Sequence, residues 1–264
     1  MKARIAVLVT FACFTACAGP MVRPSLSPAQ PPREALLVLP GFGYGDAGGE
    51  VFRTLGASMA RDGVDLYVST YVTRSGLADS REKLVRFIRD NRLDRYERLH
   101  VFAFIAGGWT LNPLVEREAL PNLASVIYDR SPLQERAPKI AATRLRTLAW
   151  LRYGTTIFDV ARTPYRPLER PGIKVALMVE TRPTAFIRKH ADAARQEGPF
   201  DFACDAFGQR HDDCLYLPFN HDEVYARFAS IWPEVSTFIR TGRFSDAANR
   251  TPPLEDPLPR GKRP

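Results

Sequence analysis

The chain has 264 residues, a formal net charge of +8 and a hydrophobic fraction of 45%. This length and composition allow one α/β domain with a large core, and they are those of a globular protein rather than a disordered chain. The basic residues are spread along the sequence without a compact basic stripe, so they indicate a solvated surface and no nucleic-acid binding. Weak attraction to an anionic membrane surface remains compatible with this charge.

The first 17 residues predict a targeting segment. "MKAR" is a short positive region, "IAVLVTFACF" is an apolar stretch too short to span a bilayer comfortably, and "FTAC" ends at Cys17. The small residues before Cys17 resemble the lipobox of bacterial lipoproteins, although Phe14 stands where that motif usually has leucine. The resemblance implies a lipid anchor at Cys17 in the bacterial cell envelope, and Ala18 favours the outer membrane facing the periplasm. Cleavage by an ordinary signal peptidase after "ACA" is the alternative.

Composition divides the rest of the chain into three parts. Residues 18–33 are rich in proline and serine and predict an extended tether. Residues 34–245 carry the apolar periodicity of one folded domain, and residues 246–264 predict a disordered tail.

Two cysteines lie inside the predicted domain. Cys204 and Cys214 form an even pair in a compartment expected to be oxidising, which favours a disulfide. A metal site built with the intervening His211, Asp212 and Asp213 is the alternative, but the spacing matches no zinc template. We expect no metal and no cofactor.

Six short apolar runs predict the buried strands of a mainly parallel sheet. In chain order they are "ALLVLP" (35–40), "DLYVSTY" (65–71), "LHVFAFI" (99–105), "ASVIYD" (124–129), "KVALMVE" (174–180) and "CLYLPF" (214–219). Helical patterns lie between them, so the alternation predicts βαβ units with right-handed crossovers.

The helices carry recognisable start and stop signals. Asp79 followed by Glu82 predicts a capping box at the start of "DSREKLVRFIRDN". A later pattern, "TAFIRKHADAARQ", predicts a further helix. The last helix, about 222–241, contains Pro233 and so is predicted either to divide or to kink, with Gly242 as its C-cap.

Residues 133–170 break the strand–helix rhythm. The segment "AATRLRTLAWLRYGTTIFDVAR" holds several leucines and a tryptophan between two strands. It predicts a helical insert over one end of the sheet.

Three stretches together resemble the α/β-hydrolase superfamily of lipases and esterases. "LLVLPGFGYGDAGGEVFRTLGASMARDGVDLYVSTY" resembles the opening of its core, and "LHVFAFIAGGW" aligns with the nucleophile elbow G-x-S-x-G. "LYLPFNHDEVYARFASIWPEVSTFIRTGRF" resembles the end of that core, where a strand leads to the catalytic histidine. The resemblance implies an α/β-hydrolase-like sheet of about six strands with flanking helices.

The resemblance also assigns candidate site residues. His221 matches the general base, and the backbone N–H groups of Phe42 and Ala106 match the oxyanion donors. The family places its catalytic acid after either of two strands, which makes Asp129 and Glu180 the candidates, with Asp205 a weaker third.

Each acid also has a purely structural interpretation. Asp129 could pair with Arg130 or Arg136, and Glu180 with Arg182.

The nucleophile position is occupied by Ile105. Isoleucine has no atom that can attack a carbonyl after losing a proton, so ordinary serine-hydrolase chemistry is not expected. Ser131 as a relocated nucleophile, or water activated by His221, would be needed for catalysis.

Two hypotheses follow for the function. The first is a lipid-anchored protein that keeps the hydrolase fold, does not catalyse, and binds a hydrophobic small molecule or an envelope protein. The second is an esterase-like or lipase-like hydrolase of carboxylic esters that uses a non-standard nucleophile or activated water.

Overall fold

A computed structural model describes residues 34–42, 46–117 and 120–258, excluding the side chains of residues 46–49. The predicted signal segment, the tether and the anchor at Cys17 lie outside the described residues. No helix in the described part of the chain is both long enough and apolar enough to cross a membrane.

The described chain alternates strands and helices. The strands are β1 (Glu34–Leu39), β2 (Val64–Val68), β3 (Arg98–Ala103), β4 (Leu123–Arg130), β5 (Lys174–Glu180) and β6 (Asp213–Leu217). The helices are α1 (Asp46–Arg61), α2 (Leu77–Asp90), α3 (Ile105–Arg117), α4 (Ala137–Arg144), α5 (Arg146–Tyr153), α6 (Thr156–Arg162), α7 (Ala185–Lys189), α8 (Ala191–Gln196), α9 (His221–Ala226) and α10 (Phe228–Thr241).

All six strands form one parallel sheet in the order β2-β1-β3-β4-β5-β6. The predicted α/β class and the six-stranded sheet are therefore confirmed. The boundaries differ most at β2, which ends at Val68 rather than at residue 71, while β3 ends at Ala103 rather than at residue 105. The apolar run continues past the strand because the next residues begin α3, which is itself buried.

Both faces of the sheet are buried, since successive side chains of a strand point to opposite sides. In β1, Leu37 and Leu39 join the hydrophobic cluster on one face, while Leu36 and Val38 join the cluster on the other. Helices α1 and α10 cover the second face, and α2, α3 and the insert lie towards the first. Both clusters are formed between residues 35 and 258, so this segment contains its own cores.

The predicted capping box at the start of α2 is wrong. The helix begins at Leu77 after Gly76, with no side-chain cap from its own sequence. Thr156 accepts a hydrogen bond from the Gly76 N–H at 2.8 Å, and Asp159 accepts one from the Leu77 N–H at 3.0 Å. The first amides of α2 are therefore satisfied by the insert, and a local cap is not needed.

The C-terminal helical region is divided, but not at its proline. The chain breaks between α9 and α10 at Arg227, whereas Pro233 lies inside α10. Gly242 takes a left-handed conformation with φ 77° and caps α10, as predicted. The predicted helix over "TAFIRKHADAARQ" is also two short helices, α7 and α8, which meet at His190.

The insert is three helices, α4 to α6, and it is joined to the loop before α2. The N–H of Thr155 donates to the Arg74 carbonyl at 2.8 Å, and the hydroxyl of Thr156 donates to the Thr73 carbonyl at 2.6 Å. Gly154 passes so close to this loop that an added Cβ would lie 2.1 Å from the Arg74 carbonyl oxygen. These contacts hold the insert over the carboxyl ends of the strands.

The chain after residue 245 lies against the domain as far as it is described. The Asn249 carbonyl accepts a hydrogen bond from the Tyr216 N–H, and Leu258 is 3% exposed. Asp256 pairs with Arg195 at 3.0 Å. This part of the segment expected to be disordered is therefore packed, and residues 259–264 lie outside the described chain.

Cys204 and Cys214 form the predicted disulfide. The bond consumes both thiolates that the alternative metal site would need. Asp212 binds the Val175 N–H and Lys174, while Asp213 pairs with Arg250. The carboxylates of that alternative are thus engaged in structural contacts.

Gly107 allows α3 to pack directly on the sheet. An added Cβ would lie 3.0 Å from the Ala103 Cβ and 3.1 Å from the Leu39 Cβ. We expect Gly107→Ala to lower the free energy of unfolding by about 1–3 kcal/mol, because backbone must shift to make room. Urea denaturation measures the change. Adding Ala103→Gly should recover part of the loss, and a double-mutant cycle with no coupling between these positions would contradict the close packing.

Candidate functional site

The candidate residues meet because parallel strands end at the same edge of a sheet. They follow or end five of the six strands: Gly41 and Phe42 after β1, Ile105 after β3, Asp129 in β4, Glu180 at the end of β5, and His221 after β6. The sequence placed these residues far apart, and the topology brings them together.

A capping box positions His221 as the first residue of α9. The Asn220 side chain accepts hydrogen bonds from the N–H groups of Asp222 and Glu223, at 3.0 and 3.1 Å. The Glu223 carboxylate accepts one in return from the Asn220 N–H at 2.9 Å. This reciprocal cap fixes where the helix starts and hence where the imidazole emerges.

His221 is hydrogen-bonded to Glu180 and lies beside Asp129. Its Nδ1 lies 2.7 Å from Glu180 Oε1 and 3.4 Å from Asp129 Oδ2. Both carboxyl side chains are fully buried. From the sequence, Asp129 and Glu180 were alternative candidates for one acid. The structure places both beside one imidazole.

The buried trio favours a protonated imidazole. Burial disfavours the charged form, but the negative charges of Glu180 and Asp129 outweigh it and raise the pKa of His221 to about 10. Burial also raises the pKa of Asp129, and burial together with Asp129 raises the pKa of Glu180 well above its usual range. Two adjacent buried carboxyls cannot both ionise cheaply, so we expect them to share one proton.

The neighbouring arginines do not neutralise the two buried carboxyls. Arg130 pairs with Glu135 at 2.6 Å and lies between aromatic rings, while Arg136 donates to backbone carbonyls. The suggested pairings of Asp129 with either arginine are therefore wrong, and Glu180 binds His221 in place of Arg182.

The turn after β1 approaches the other side of the imidazole. An added Cβ at Gly41 would lie 3.4 Å from His221 Nε2 and 3.0 Å from the Tyr225 hydroxyl. The Gly41 N–H donates a hydrogen bond to that hydroxyl. Tyr225 follows His221 by one helical turn, and burial raises its pKa well above the usual range. A larger residue here would require the Tyr225 side chain to move.

Two backbone N–H groups beside the cavity have no hydrogen-bond acceptor among the described residues. Neither the Phe42 amide nor the Ala106 amide donates a hydrogen bond within the described part of the chain, and both residues line the same cavity as His221. Ala106 is the second residue of α3, where a helix leaves its amides without an internal acceptor. The positions match those expected for oxyanion donors, while their role stays a prediction.

The elbow is apolar and relaxed. Ile105 starts α3, is 7% exposed, and lines the cavity with His221. Arg92 is the single non-glycine residue of the described chain with a positive φ, so Ile105 does not adopt the strained turn that presents a nucleophile. The preceding Phe104 stacks on Tyr225 with the ring centroids 3.9 Å apart.

A cavity of about 340 Å³ lies between this edge and the insert. One wall is formed at the edge of the sheet by Gly41, Phe42, Ile105, Ala106 and His221. Gln134 and Thr184 also line the cavity. Apolar residues of the insert and of α7 form the opposite wall: Ala137, Pro138, Ala141, Ile157, Val160 and Phe186. The volume lies in the range of small-molecule sites, about 300–1,000 Å³.

Several solved structures are similar to this chain in fold. A Bacillus licheniformis lipase in its mature form is 12% identical, with 82% of this chain and 93% of that chain covered and a TM-score of 0.54. The type II thioesterase BorB of the borrelidin biosynthetic cluster is 14% identical, with 81% and 94% covered and a TM-score of 0.52.

A hypothetical protein from Pseudomonas aeruginosa is 13% identical, with 79% of this chain and 84% of that chain covered and a TM-score of 0.51. No family model matches the sequence, and no curated protein matches it. The chain has the α/β-hydrolase fold.

Within this hydrolase fold, no relocated nucleophile contacts His221 among the described residues. The Ser131 hydroxyl accepts a hydrogen bond from the Gln134 N–H at 3.1 Å and does not line the cavity. Thr184, which does line it, caps α7 and donates to Gln134 at 2.9 Å. Asp205 lies 3.9 Å from His211 and is not part of the trio.

The trio could also hold a cation on geometric grounds. One ligand atom each from Asp129, Glu180 and His221 lies within 4.8 Å of the others. The negative charge of the two carboxyls can also be balanced without a cation, by a proton that they share and by a protonated His221.

Two features of the site were missed in the sequence. The box formed by Asn220 and Glu223 was readable from "NHDE", since asparagine precedes glutamate by three positions. The hydrogen bond from Gly41 to Tyr225 joins segments 184 positions apart and leaves no local signal.

The protonation of His221 can be measured directly, because the chain has four histidines. We expect its ring to stay charged through neutral pH and to titrate near pH 10, in NMR spectra of histidine-labelled protein. Buried His100 should stay neutral, because burial lowers its pKa to about 4. Asp129→Asn removes a negative neighbour and should lower the pKa of His221 by about one unit or more.

Asp205→Asn is the matched control, since it lies beside His211. It should leave the His221 titration unchanged. A wild-type His221 that titrates near 6.5 would contradict the proposed charge state of the trio.

Proposed function

We propose that this chain is a non-catalytic binding protein built on the α/β-hydrolase fold, and that its ligand is a hydrophobic small molecule. One observation carries the proposal: Ile105, at the elbow position, lines the cavity beside His221. A side chain of carbon and hydrogen cannot form an acyl-enzyme. The negative φ at this position further supports a site that no longer presents an attacking atom.

The charge state of His221 supports the same proposal. A general base must have a free lone pair near the operating pH. Its Nδ1 faces Glu180, and the raised pKa keeps the Nε2 side protonated at neutral pH. The imidazole is then a hydrogen-bond donor to a ligand rather than a proton acceptor.

The cavity suggests what the ligand offers. Its polar edge presents three N–H donors, from Phe42, Ala106 and His221, and its opposite wall is apolar. Such a site fits an acyl or similarly apolar body that ends in a carbonyl or carboxylate oxygen. Arg152 and Asp222 also line the cavity, so the ligand's outer end meets one charge of each sign.

Hydrolysis by water activated at His221 is the competing function. It would need the neutral imidazole, which the two carboxyls disfavour at neutral pH. The lipid anchor predicted at Cys17 would hold either kind of protein at a membrane surface in the cell envelope.

Filling the cavity tests ligand binding. We expect the purified chain from residue 18 onward to carry an apolar ligand that native mass spectrometry detects and organic extraction removes. Ile105→Trp should abolish that mass shift, because the indole occupies the cavity. Ala226→Trp is the control, since Ala226 is exposed on α9 and does not line the cavity. A ligand retained equally in both variants would place binding elsewhere.

Restoring a hydroxyl tests the chemistry. We expect Ile105→Ser to react with a fluorophosphonate probe slowly at pH 7, with the labelling rate rising about tenfold per pH unit towards pH 9 as His221 deprotonates. Adding Asp129→Asn should move this rise to lower pH. Turnover of short-chain or long-chain p-nitrophenyl esters by the wild type, lost in His221→Ala, would overturn the non-catalytic proposal.

A further inference from the structure

The helix α5 exposes an apolar surface that the core does not use. Four large hydrophobic side chains of the described chain are strongly exposed, and three of them lie on this helix: Leu148 at 63%, Trp150 at 52% and Leu151 at 44%. Ala149 is the one fully buried residue that α5 contributes. A soluble surface rarely gathers leucines and a tryptophan in this way without a partner.

Arginines surround this surface. Arg144, Arg146 and Arg152 lie on or within two residues of α5 in sequence, and Arg162 ends α6. Arg74 donates a hydrogen bond to the Trp150 carbonyl at 3.3 Å. None of the five forms an ion pair with another described side chain. The surface therefore combines exposed apolar groups with arginines that form no ion pair among the described residues.

A groove continues the surface between α5 and α6. It is lined by Trp150, Phe158, Arg146 and Arg162, and the two guanidinium carbons lie 5.8 and 5.9 Å from the Phe158 ring centroid. Asp159 also lines the groove, but one of its carboxylate oxygens accepts the hydrogen bond from the Leu77 N–H. Two arginines on one aromatic ring suit a phosphate group.

We propose that this face of α5 and α6 binds the surface of an anionic phospholipid bilayer. Leu148, Trp150 and Leu151 enter the interfacial layer, where tryptophan is favoured. The arginines contact lipid phosphates and lie in the negative surface potential of the membrane. A bilayer is favoured over a protein partner because the arginines surround the apolar groups without any acidic residue arranged to pair across an interface.

The position of this face adds a functional consequence. Arg152 and Tyr153, at the end of α5, also line the cavity beside His221. A domain resting on α5 therefore turns the insert side of its cavity towards the lipid. The inference does not depend on whether the cavity binds or cleaves its ligand.

Vesicle sedimentation tests the inference with the unlipidated chain from residue 18 onward, which contains both cores. We expect binding to vesicles containing phosphatidylglycerol, weak binding to pure phosphatidylcholine vesicles, and loss of binding at high salt. Arg146→Gln with Arg162→Gln should lower the partition coefficient by about fivefold per arginine. Leu148→Ala with Leu151→Ala should lower it by about tenfold or more.

Each variant has a matched control. Arg240→Gln with Arg243→Gln removes the same charge near the C-terminal end of α10, and Leu254→Ala removes an isolated exposed leucine. Both should bind as the wild type does. Equal losses in the test and control variants, or equal binding to the two kinds of vesicle, would overturn the proposal.

Fluorescence gives an independent measurement. Brominated lipids should quench a tryptophan component that is missing in Trp150→Phe, because the indole reaches the acyl boundary. Unchanged quenching in that variant would also overturn the proposal, and circular dichroism confirms that each variant is folded.

Discussion

The site depends on the balance of charge between one imidazole and two buried carboxyls. Glu180 and Asp129 are both fully buried, and Arg130, which follows Asp129, is paired with Glu135. Leaving two ionised carboxylates in the core would cost several kcal/mol, so the trio must hold protons. A charged His221 beside two carboxyls that share one proton is the arrangement that neutralises the group.

This charge state affects the chemistry that the residues lining the cavity can perform. A hydrolase of this fold needs a nucleophile in a strained turn and an imidazole ready to accept its proton. Here the turn starts an ordinary helix with Ile105, and the adjacent carboxyls raise the pKa of the imidazole to about 10. The donors around the cavity remain, and so does the apolar wall supplied by the insert. The cavity therefore combines a polar edge with an apolar wall, which supports the proposed binding of an oxygen-bearing apolar ligand.

The insert connects the cavity to the rest of the molecule. Its Thr156 and Asp159 satisfy the first amides of α2, so the cover over the cavity and the start of a core helix stabilise each other. The same insert exposes the leucines and tryptophan of α5 on its outer side. One segment of chain therefore provides a wall of the cavity and the surface proposed to meet the membrane.

The sequence by itself determined the parallel sheet and the order of strands and helices along the chain, because a strand buried on both faces has a short continuous run of apolar residues. The resemblance of these runs and their flanking turns to the α/β-hydrolase core also located His221 and Ile105, and the even pair of cysteines in the domain indicated the disulfide. It misplaced the start of α2, because the side chains that satisfy its first amides come from the insert some 80 positions away.

Only the tertiary structure decided that Asp129 and Glu180 both lie beside one histidine. Two strands adjacent in the sheet bring their carboxyl ends to the same imidazole, and no local pattern encodes that distance. The protonation of the trio, the fit of Gly41 against Tyr225 and the exposure of α5 likewise arise from contacts between distant segments.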